Sequence, residues 1–137
     1  MIESSIYNCP VLELNKIHNP AGNITVIENN IHIPFDVKRV YYLYDLPGGA
    51  ERGGHAHRNL YQLIIAASGC FDVILNDGRN KKIINLNHPN YGLLIAPGIW
   101  RELINFSSGA ICLVLASEKF NENDYIREYN IYLEFKI

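Results

Sequence analysis

Short apolar segments separated by turn residues run through almost the whole chain, and this pattern most limits the folds open to it. Eight segments have the length and composition of strands: 23–28, 37–44, 60–67, 71–75, 82–86, 92–96, 100–106 and 110–116. Asn76-Asp77-Gly78, between two of them, is a strong hairpin signal. No helical pattern separates the strands, which argues against a parallel sheet built from strand–helix–strand units. We therefore expect an all-β, antiparallel sandwich or barrel.

Only the C-terminal tail has helical periodicity. Between 123 and 135 the apolar residues Ile126, Tyr129 and Leu133 recur at helical spacing, and Asn121 or Asn123 is suited to cap the N-terminus. The sequence predicts one short helix there. Asp124-Tyr125-Ile126-Arg127 falls at its start, and we interpret this stretch as packing on the barrel rather than as catalytic.

Length and charge exclude several classes of protein. The chain has 137 residues, so a single domain is expected over 1–137. The net charge is −2 and no basic patch is visible, which argues against a nucleic-acid partner. No apolar stretch reaches the roughly 20 residues of a membrane-spanning helix, so no membrane association is expected. Three widely spaced cysteines and no visible export signal favour the reducing cytoplasm.

One short segment carries most of the chemistry. His55 and His57 lie two apart in a strand-like stretch, and side chains two apart in a strand share a face. Two imidazoles on one face can bind a transition metal or transfer protons near neutral pH. The glycines that precede them leave room for a ligand. The other histidines are expected on the surface: His18, His32 and His88.

The histidine pair lies in a pattern that resembles the first cupin motif. That motif's glycine, His-x-His, acidic position and second glycine fall at Gly49, His55, His57, Gln62 and Gly69. A partial match to the second cupin motif, one residue short, involves Gly92, Pro97, Gly98, Arg101 and Asn105. Cupins are small jelly-roll barrels that hold a ligand in the mouth. The resemblance implies a cupin jelly-roll barrel with a short C-terminal helix.

Two departures from the metal-binding cupins bear on the chemistry. Gln62 stands at the position of the glutamate ligand, and Arg101 stands at the position of the third histidine. A guanidinium has no lone pair and repels a divalent cation, and a neutral amide replaces a carboxylate poorly. We therefore expect no metal, but proton transfer by a histidine base while Arg101 or a tyrosine stabilises an enolate oxygen. A base of ordinary pKa predicts a rate that rises through roughly pH 6–7.

Over nearly its whole length the chain resembles the cupin-fold nucleotide-sugar 3,4-ketoisomerases, which act on dTDP-4-keto-6-deoxyglucose. The matching stretches include Arg52-Gly53-Gly54-His55-Ala56-His57-Arg58, Trp100-Arg101-Glu102 and Asp124-Tyr125-Ile126-Arg127, together with 22–28, 39–42, 92–95 and 114–117. The resemblance implies that a ketone moves from C4 to C3 through an enediol, without a metal or redox cofactor. It also implies a homodimer with an exchanged N-terminal strand. The product would supply an aminotransferase that makes 3-amino-3,6-dideoxyhexoses for surface glycans.

The same resemblance assigns the candidate site. The candidate catalytic residues are His55, His57, Tyr42, Tyr44 and Arg101, and the candidate substrate-binding residues are Arg52, Arg58 and Gln62. Either histidine is the base and the other is its shuttle. One of the two tyrosines is the family's active-site tyrosine, which lies in the strand before the histidines. The two flanking arginines are candidates for binding the diphosphate.

Two other functions stay open on the sequence. A cupin-fold nucleotide-sugar epimerase would exchange protons beside the ketone without moving the carbonyl. A non-catalytic sugar-binding cupin would bind the ligand and turn nothing over. For a ketoisomerase the product is gluco or galacto at C4, and the gluco product is favoured.

Overall fold

The computed structural model describes residues 3–137 and contains twelve β-strands and one α-helix in that range. In chain order the strands are β1 (Val11–Glu13), β2 (Ile17–Asn19), β3 (Gly22–Ile24), β4 (Arg39–Leu43), β5 (Arg52–His57), β6 (Gln62–Ser68), β7 (Phe71–Asn76), β8 (Lys81–Leu86), β9 (Tyr91–Ile95), β10 (Trp100–Ile104), β11 (Ile111–Ala116) and β12 (Tyr125–Ile126). The helix α1 spans Tyr129–Lys136, and short 3-10 turns lie at Ile6–Asn8 and Glu122–Asp124.

Two antiparallel sheets of five strands form the body of the fold. The first has the order β1-β9-β6-β11-β4, and the second has the order β12-β5-β10-β7-β8. Strands that are distant in the chain are therefore neighbours in each sheet, as in a jelly roll. The expected all-β cupin jelly roll with a short C-terminal helix is confirmed.

The main core lies between the two sheets. Phe71, Val73 and Leu75 of β7 alternate with more exposed residues and are fully buried, as are Leu93 and Ile95 of β9. The alternation follows from the strand geometry, which sends every second side chain to the same face. Burying each of these side chains contributes about 1.5–3 kcal/mol, so this layer is the main source of stability.

Other segments cover the outer face of each sheet. Phe35 packs in a cluster with Leu63 of β6 on the first sheet, and Tyr132 of α1 packs with Ala56 and Trp100 on the second. Ala56 faces outward under the helix, so its neighbours on either side in β5 face the interior. The histidine pair is thereby directed into the space between the sheets.

The C-terminal helix begins later than the sequence predicts. Tyr125 and Ile126 pair with β5 instead, and α1 starts at Tyr129. Asn121 does act as a cap, but it accepts a hydrogen bond from the N–H of Asn123 in the 3-10 turn. Pairing with a buried strand outweighs the local helical periodicity here. The interpretation of 124–127 as the start of a helix is therefore wrong.

The N-terminal part also differs from the expectation. The strand expected at 23–28 is shortened to β3, which forms a hairpin with β2 and joins neither main sheet. Ile17 and Ile24 are partners across this hairpin and are 54% and 60% exposed. Strands of two or three residues are too short to show periodicity, which is why β1, β2 and β12 were not predicted.

No helix in residues 3–137 is long and apolar enough to cross a lipid bilayer. All three cysteines are free, and Cys9 and Cys112 are buried.

Candidate active site

A cavity of about 420 Å³ lies between the sheets, lined by β4, β5, β6, β10, β11 and β12. Its basic side chains are Arg39, Arg52, Arg101 and Arg127, and none of the carboxylates in the described part of the chain lines it. Cations concentrated in a cleft with apolar walls create a strong positive potential. The size and the charge suit a small anionic ligand.

A bulge in β5 brings His55 to the cavity wall. Gly53 and Gly54 have φ angles of +105° and +75°, in the left-handed region that favours glycine. A Cβ on Gly53 would lie 3.1 Å from the Cα of Glu102 in β10. The register between β5 and β10 shifts at this point, and His55 lies directly opposite Arg101. The bulge thus places an imidazole and a guanidinium in the same cavity.

The second histidine is held by a carboxylate. His57 is fully buried, and its Nδ1 lies 2.9 Å from Oδ2 of Asp124. The other oxygen of Asp124 accepts a hydrogen bond of 2.7 Å from the backbone N–H of Asn59. An ionised carboxylate only accepts, so the proton of the imidazole is on Nδ1 and its Nε2 carries a lone pair.

The free ring nitrogens of both histidines lack partners. Nε2 of His55 and Nε2 of His57 are buried and form no hydrogen bond within residues 3–137. Buried polar atoms without partners are rare in folded proteins. The two ring centroids lie 4.9 Å apart, and Tyr125 packs on both rings at 5.2 and 4.3 Å. The pair is therefore shielded by an aromatic ring and retains two unused acceptor or donor positions.

The surroundings of the pair keep both imidazoles neutral. Burial, followed by the charge of Arg101, lowers the pKa of His55 to about 3. The same two causes lower the pKa of His57, and the neighbouring His55 adds to them. The expected rise of the rate through roughly pH 6–7 is therefore revised, because neither imidazole has an ordinary pKa.

A chain of hydrogen bonds crosses the floor of the cavity. Arg101 is fully buried and donates from Nε and Nη2 to the carbonyl of Ile99, over 3.2 and 3.1 Å. Its Nη1 donates to Oε1 of Gln62, whose Nε2 donates to the hydroxyl of Tyr41 over 3.0 Å. Five guanidinium N–H groups minus these three bonds leave two N–H groups for a ligand.

The structure brings together most, but not all, of the site residues predicted from the sequence. His55, Arg101, Gln62 and Arg52 line the cavity, and His57 lies against His55. The remaining candidates lie elsewhere: Tyr42, Tyr44 and Arg58.

Tyr42 and Tyr44, predicted as catalytic candidates, do not line the cavity. Both are more than half exposed, because Tyr42 is on the outward face of β4, opposite to Tyr41, and Tyr44 follows the end of the strand. The cavity tyrosine of this strand is therefore Tyr41. Arg58 is also outside the cavity, because β5 has ended and its guanidinium lies over the ring of Phe135, 5.2 Å from the centroid.

Four other residues of the site were not identified from the sequence. Arg39 lines the cavity from β4, and Tyr125 and Arg127 line it from the segment interpreted as a helix start. Asp124 of the same segment holds His57. The sequence did contain a signal for these residues, because Asp124-Tyr125-Ile126-Arg127 is one of the stretches that resemble the ketoisomerase family. The pairing of this segment with β5 was not predicted.

Together, the jelly roll and the cavity define a cupin, and the side chains in its mouth are equipped for acid–base chemistry on an anionic ligand. Comparison with known proteins narrows this class. Residues 7–137 match the FdtA family, described as WxcM-like, C-terminal. The chain belongs to this family.

Several characterised relatives are similar over almost their full length. TDP-4-oxo-6-deoxy-alpha-D-glucose-3,4-oxoisomerase of Aneurinibacillus thermoaerophilus is 41% identical over 91% of this chain and 90% of its own. The structure of the WlaRB TDP-quinovose 3,4-ketoisomerase from Campylobacter jejuni is 47% identical, with a TM-score of 0.90 over 94% of this chain and 99% of its own. QdtA, a sugar 3,4-ketoisomerase from Thermoanaerobacterium thermosaccharolyticum solved with TDP, is 41% identical, with a TM-score of 0.93 over 96% of both chains. These relatives are isomerases.

Proposed function

We propose that the protein is a sugar 3,4-ketoisomerase that converts TDP-4-keto-6-deoxyglucose to a TDP-3-keto-6-deoxyhexose. The observation that carries the proposal is the pair of buried, neutral imidazoles with unpartnered Nε2 atoms beside a cationic cavity. The names of the characterised relatives support the substrate and the reaction.

His55 is the base in this proposal, because its ring lines the cavity whereas His57 is buried behind it. Nε2 of His55 takes the proton from C3, and the electron pair of that C–H bond forms the C3–C4 double bond of an enediol while O4 gains a proton. The C3 hydroxyl then loses its proton and C4 gains one, which leaves the ketone at C3. A base of this kind contributes about 10²–10⁴-fold to the rate.

His57 serves as the shuttle. Asp124 fixes its tautomer, so Nε2 of His57 carries a lone pair that can accept the proton leaving O3 and later return one. The rings meet edge to face, at an interplanar angle of 89°. The protons that leave C3 and O3 thereby have a place to go before C4 is protonated.

The cations of the cavity have two tasks in the proposal. Arg101 stabilises the charge that develops on the enediolate oxygen with its two free N–H groups, and burial strengthens this attraction. Arg39 and Arg52 bind the diphosphate of the substrate, whereas Arg127, whose Nε and Nη2 donate to Glu122, contributes its remaining N–H groups at the edge of the cavity. Nε and Nη2 of Arg39 are buried without partners among the described residues, which fits a ligand at this position.

The reaction as proposed needs neither a metal nor a redox cofactor. Moving a ketone between neighbouring carbons is balanced within the sugar, since the two protons lost at C3 and O3 equal those gained at C4 and O4. The donor set agrees with this proposal, because two imidazoles, an amide and a guanidinium form a poor site for a divalent cation.

The gluco configuration at C4 is the proposed outcome. The relative that shares 47% of its residues is named for TDP-quinovose, and quinovose is 6-deoxyglucose. A 3-keto product is the substrate that a transaminating enzyme needs to make a 3-amino-3,6-dideoxyhexose. We place the reaction in the cytoplasm, where the free thiols of this chain would stay reduced.

The N-terminal hairpin supports a homodimer with an exchanged segment. Every residue of β2 and β3 is exposed, and an isolated two-stranded hairpin is marginal in water. β4 is an edge strand with Val40 and Tyr42 exposed. If a second copy packed its hairpin against the edge of β4, the exposed hairpin and the unpaired edge strand would both be covered. Light scattering during gel filtration tests this, and replacing only the hairpin, 17–24, with a short glycine linker should give a monomer, because β1 stays paired with β9.

The function is tested with substrate that carries ¹³C at C3 and C4. Conversion predicts that the carbonyl resonance moves from C4 to C3 in the presence of the protein. A carbonyl that stays at C4 while the configuration at C3 or C5 changes would indicate the epimerase. Binding without any change would indicate the sugar-binding cupin.

A further inference from the structure

Gln62 connects a fixed cation to the cavity tyrosine. It is 1% exposed on β6 and touches Arg101 of β10 on one side and Tyr41 of β4 on the other. Its position corresponds to the metal-binding glutamate of other cupins. The acid–base steps proposed above do not use the amide of Gln62 directly.

The direction of these hydrogen bonds is set by Arg101. A guanidinium only donates, so the group that faces it must be the carbonyl oxygen Oε1 of Gln62. The amide nitrogen Nε2 then faces Tyr41 and donates to its hydroxyl oxygen over 3.0 Å. The orientation of the amide is therefore determined by a charge that cannot reverse.

This arrangement leaves the hydroxyl proton of Tyr41 without a partner among the described residues. One lone pair of the hydroxyl accepts from Gln62, and none of the hydrogen bonds within residues 3–137 uses this hydroxyl as a donor. Burial raises the pKa of Tyr41, so the phenol stays protonated. The ring lines the cavity, so this proton is available to an acceptor on a bound ligand.

We propose that Gln62 is a positioning residue that makes Tyr41 a hydrogen-bond donor to the C4 oxygen of the substrate. Arg101 sets the direction of the hydrogen bonds in this chain. This inference rests on the proposed ketoisomerase function. A donor to this oxygen stabilises the enediolate more than the ketone, so the benefit falls on turnover rather than on binding.

Gln62→Glu reverses the polarity with almost no change in shape. A carboxylate beside Arg101 stays ionised and only accepts, so the hydroxyl of Tyr41 would donate its hydrogen bond to this carboxylate instead of to a ligand in the cavity. Removing one such donor costs about 10²-fold or more in turnover. We expect kcat to fall by about this factor while KM stays within about threefold.

A double-mutant cycle separates positioning from a structural role. Tyr41→Phe should lower kcat by a similar factor, and adding Gln62→Glu to Tyr41→Phe should cost much less than it costs in the wild type, since Gln62 acts through Tyr41 and only the new charge beside Arg101 still has an effect. Affinity for TDP should be unchanged in all three variants. If Gln62→Glu does not fold, Gln62→Met replaces it in the same cycle and should likewise add little to Tyr41→Phe.

The outcomes distinguish this inference from the function on which it rests. Wild-type protein that leaves TDP-4-keto-6-deoxyglucose unchanged would overturn the proposed function itself. An active wild type together with Gln62→Glu at the wild-type kcat would overturn only the role of Gln62. The role of Gln62 would also be overturned if the kcat losses from Gln62→Glu and Tyr41→Phe multiplied independently in the double variant. It would likewise be overturned if Gln62→Glu raised KM and left kcat unchanged.

Discussion

Asp124 and His57, 67 residues apart in the chain, meet behind the cavity with 2.9 Å between Oδ2 and Nδ1. The contact depends on the pairing of β12 with β5, which places the two side chains beside each other. Because the second oxygen of Asp124 is held by the N–H of Asn59, the carboxylate has little freedom to turn. The tautomer of a buried imidazole is thus fixed by a two-residue strand.

Asp124→Asn should lower kcat by about 10- to 100-fold, which is less than the roughly 10²–10⁴-fold of a general acid or base, because Asp124 acts only through His57. The N–H of Asn59 keeps the amide oxygen on its side, so the amide NH₂ faces Nδ1 and forces the proton to Nε2. The proton acceptor of His57 is then lost. Asp72→Asn, which removes a partly exposed carboxylate of β7 outside the cavity, is the matched control and should leave kcat within about twofold. Equal kcat values in the two variants would remove Asp124 from the mechanism.

The pH dependence of kcat/KM follows from the lowered pKa of His55. A base whose pKa is lowered to about 3 stays in its active, neutral form throughout the range above that value. We therefore expect no inflection from this histidine between about pH 5.5 and 8, measured by initial rates in a constant-ionic-strength buffer. An inflection near the ordinary histidine pKa of about 6.5 that disappears in a His55 variant would contradict the account.

Stability should depend on pH through the same histidines. In the unfolded chain they titrate near 6.5, whereas burial lowers the pKa of both in the folded protein. Below 6.5 the unfolded chain therefore binds protons that the folded protein does not, and the free energy of unfolding falls as the pH falls towards about 3. Each histidine contributes up to about 1.4 kcal/mol per pH unit in this window.

Calorimetric melting of the wild type and of His55→Asn between about pH 8 and 4.5 measures this contribution. The Tm of the wild type should fall more steeply with acidification than that of the variant, because the variant lacks one of the two groups. Parallel curves for the two proteins would show that His55 keeps an ordinary pKa in the folded state.

Arg52, the first residue of β5, and Arg58, which follows its last residue, should differ in their effect on nucleotide binding. Arg52 lines the cavity, whereas Arg58 lies over Phe135 outside it. Arg52→Ala should weaken the affinity for TDP by about 10- to 100-fold, the value of a charge-assisted hydrogen bond. Arg58→Ala is the matched control and should change it less than about twofold. Titration calorimetry with TDP gives both values, and a loss confined to Arg58→Ala would place the diphosphate elsewhere.

Motifs and turn signals determined what could be predicted from the sequence. The histidines, Gln62 and Arg101 were identified because each holds a position in a spaced motif. Tyr41 was not, because β4 carries Val40, Tyr41 and Tyr42 in succession, and large residues on both faces do not reveal which face is inward. Asp124 was missed because its partner is distant in the chain and its own segment has helical spacing.

Proton NMR in D₂O with TDP-4-keto-6-deoxyglucose tests the central claim, histidine-mediated transfer of the C3 proton, most directly. With the wild type we expect loss of the C3 proton, deuterium at C4 and a new 3-keto sugar, and the C4 coupling constants should be those of the gluco product. His55→Asn should slow loss of the C3 proton by at least about 100-fold. His88→Asn, at an exposed histidine, should exchange at the wild-type rate. Exchange at C3 that is as fast in His55→Asn as in the wild type, or no exchange in the wild type, would contradict the account.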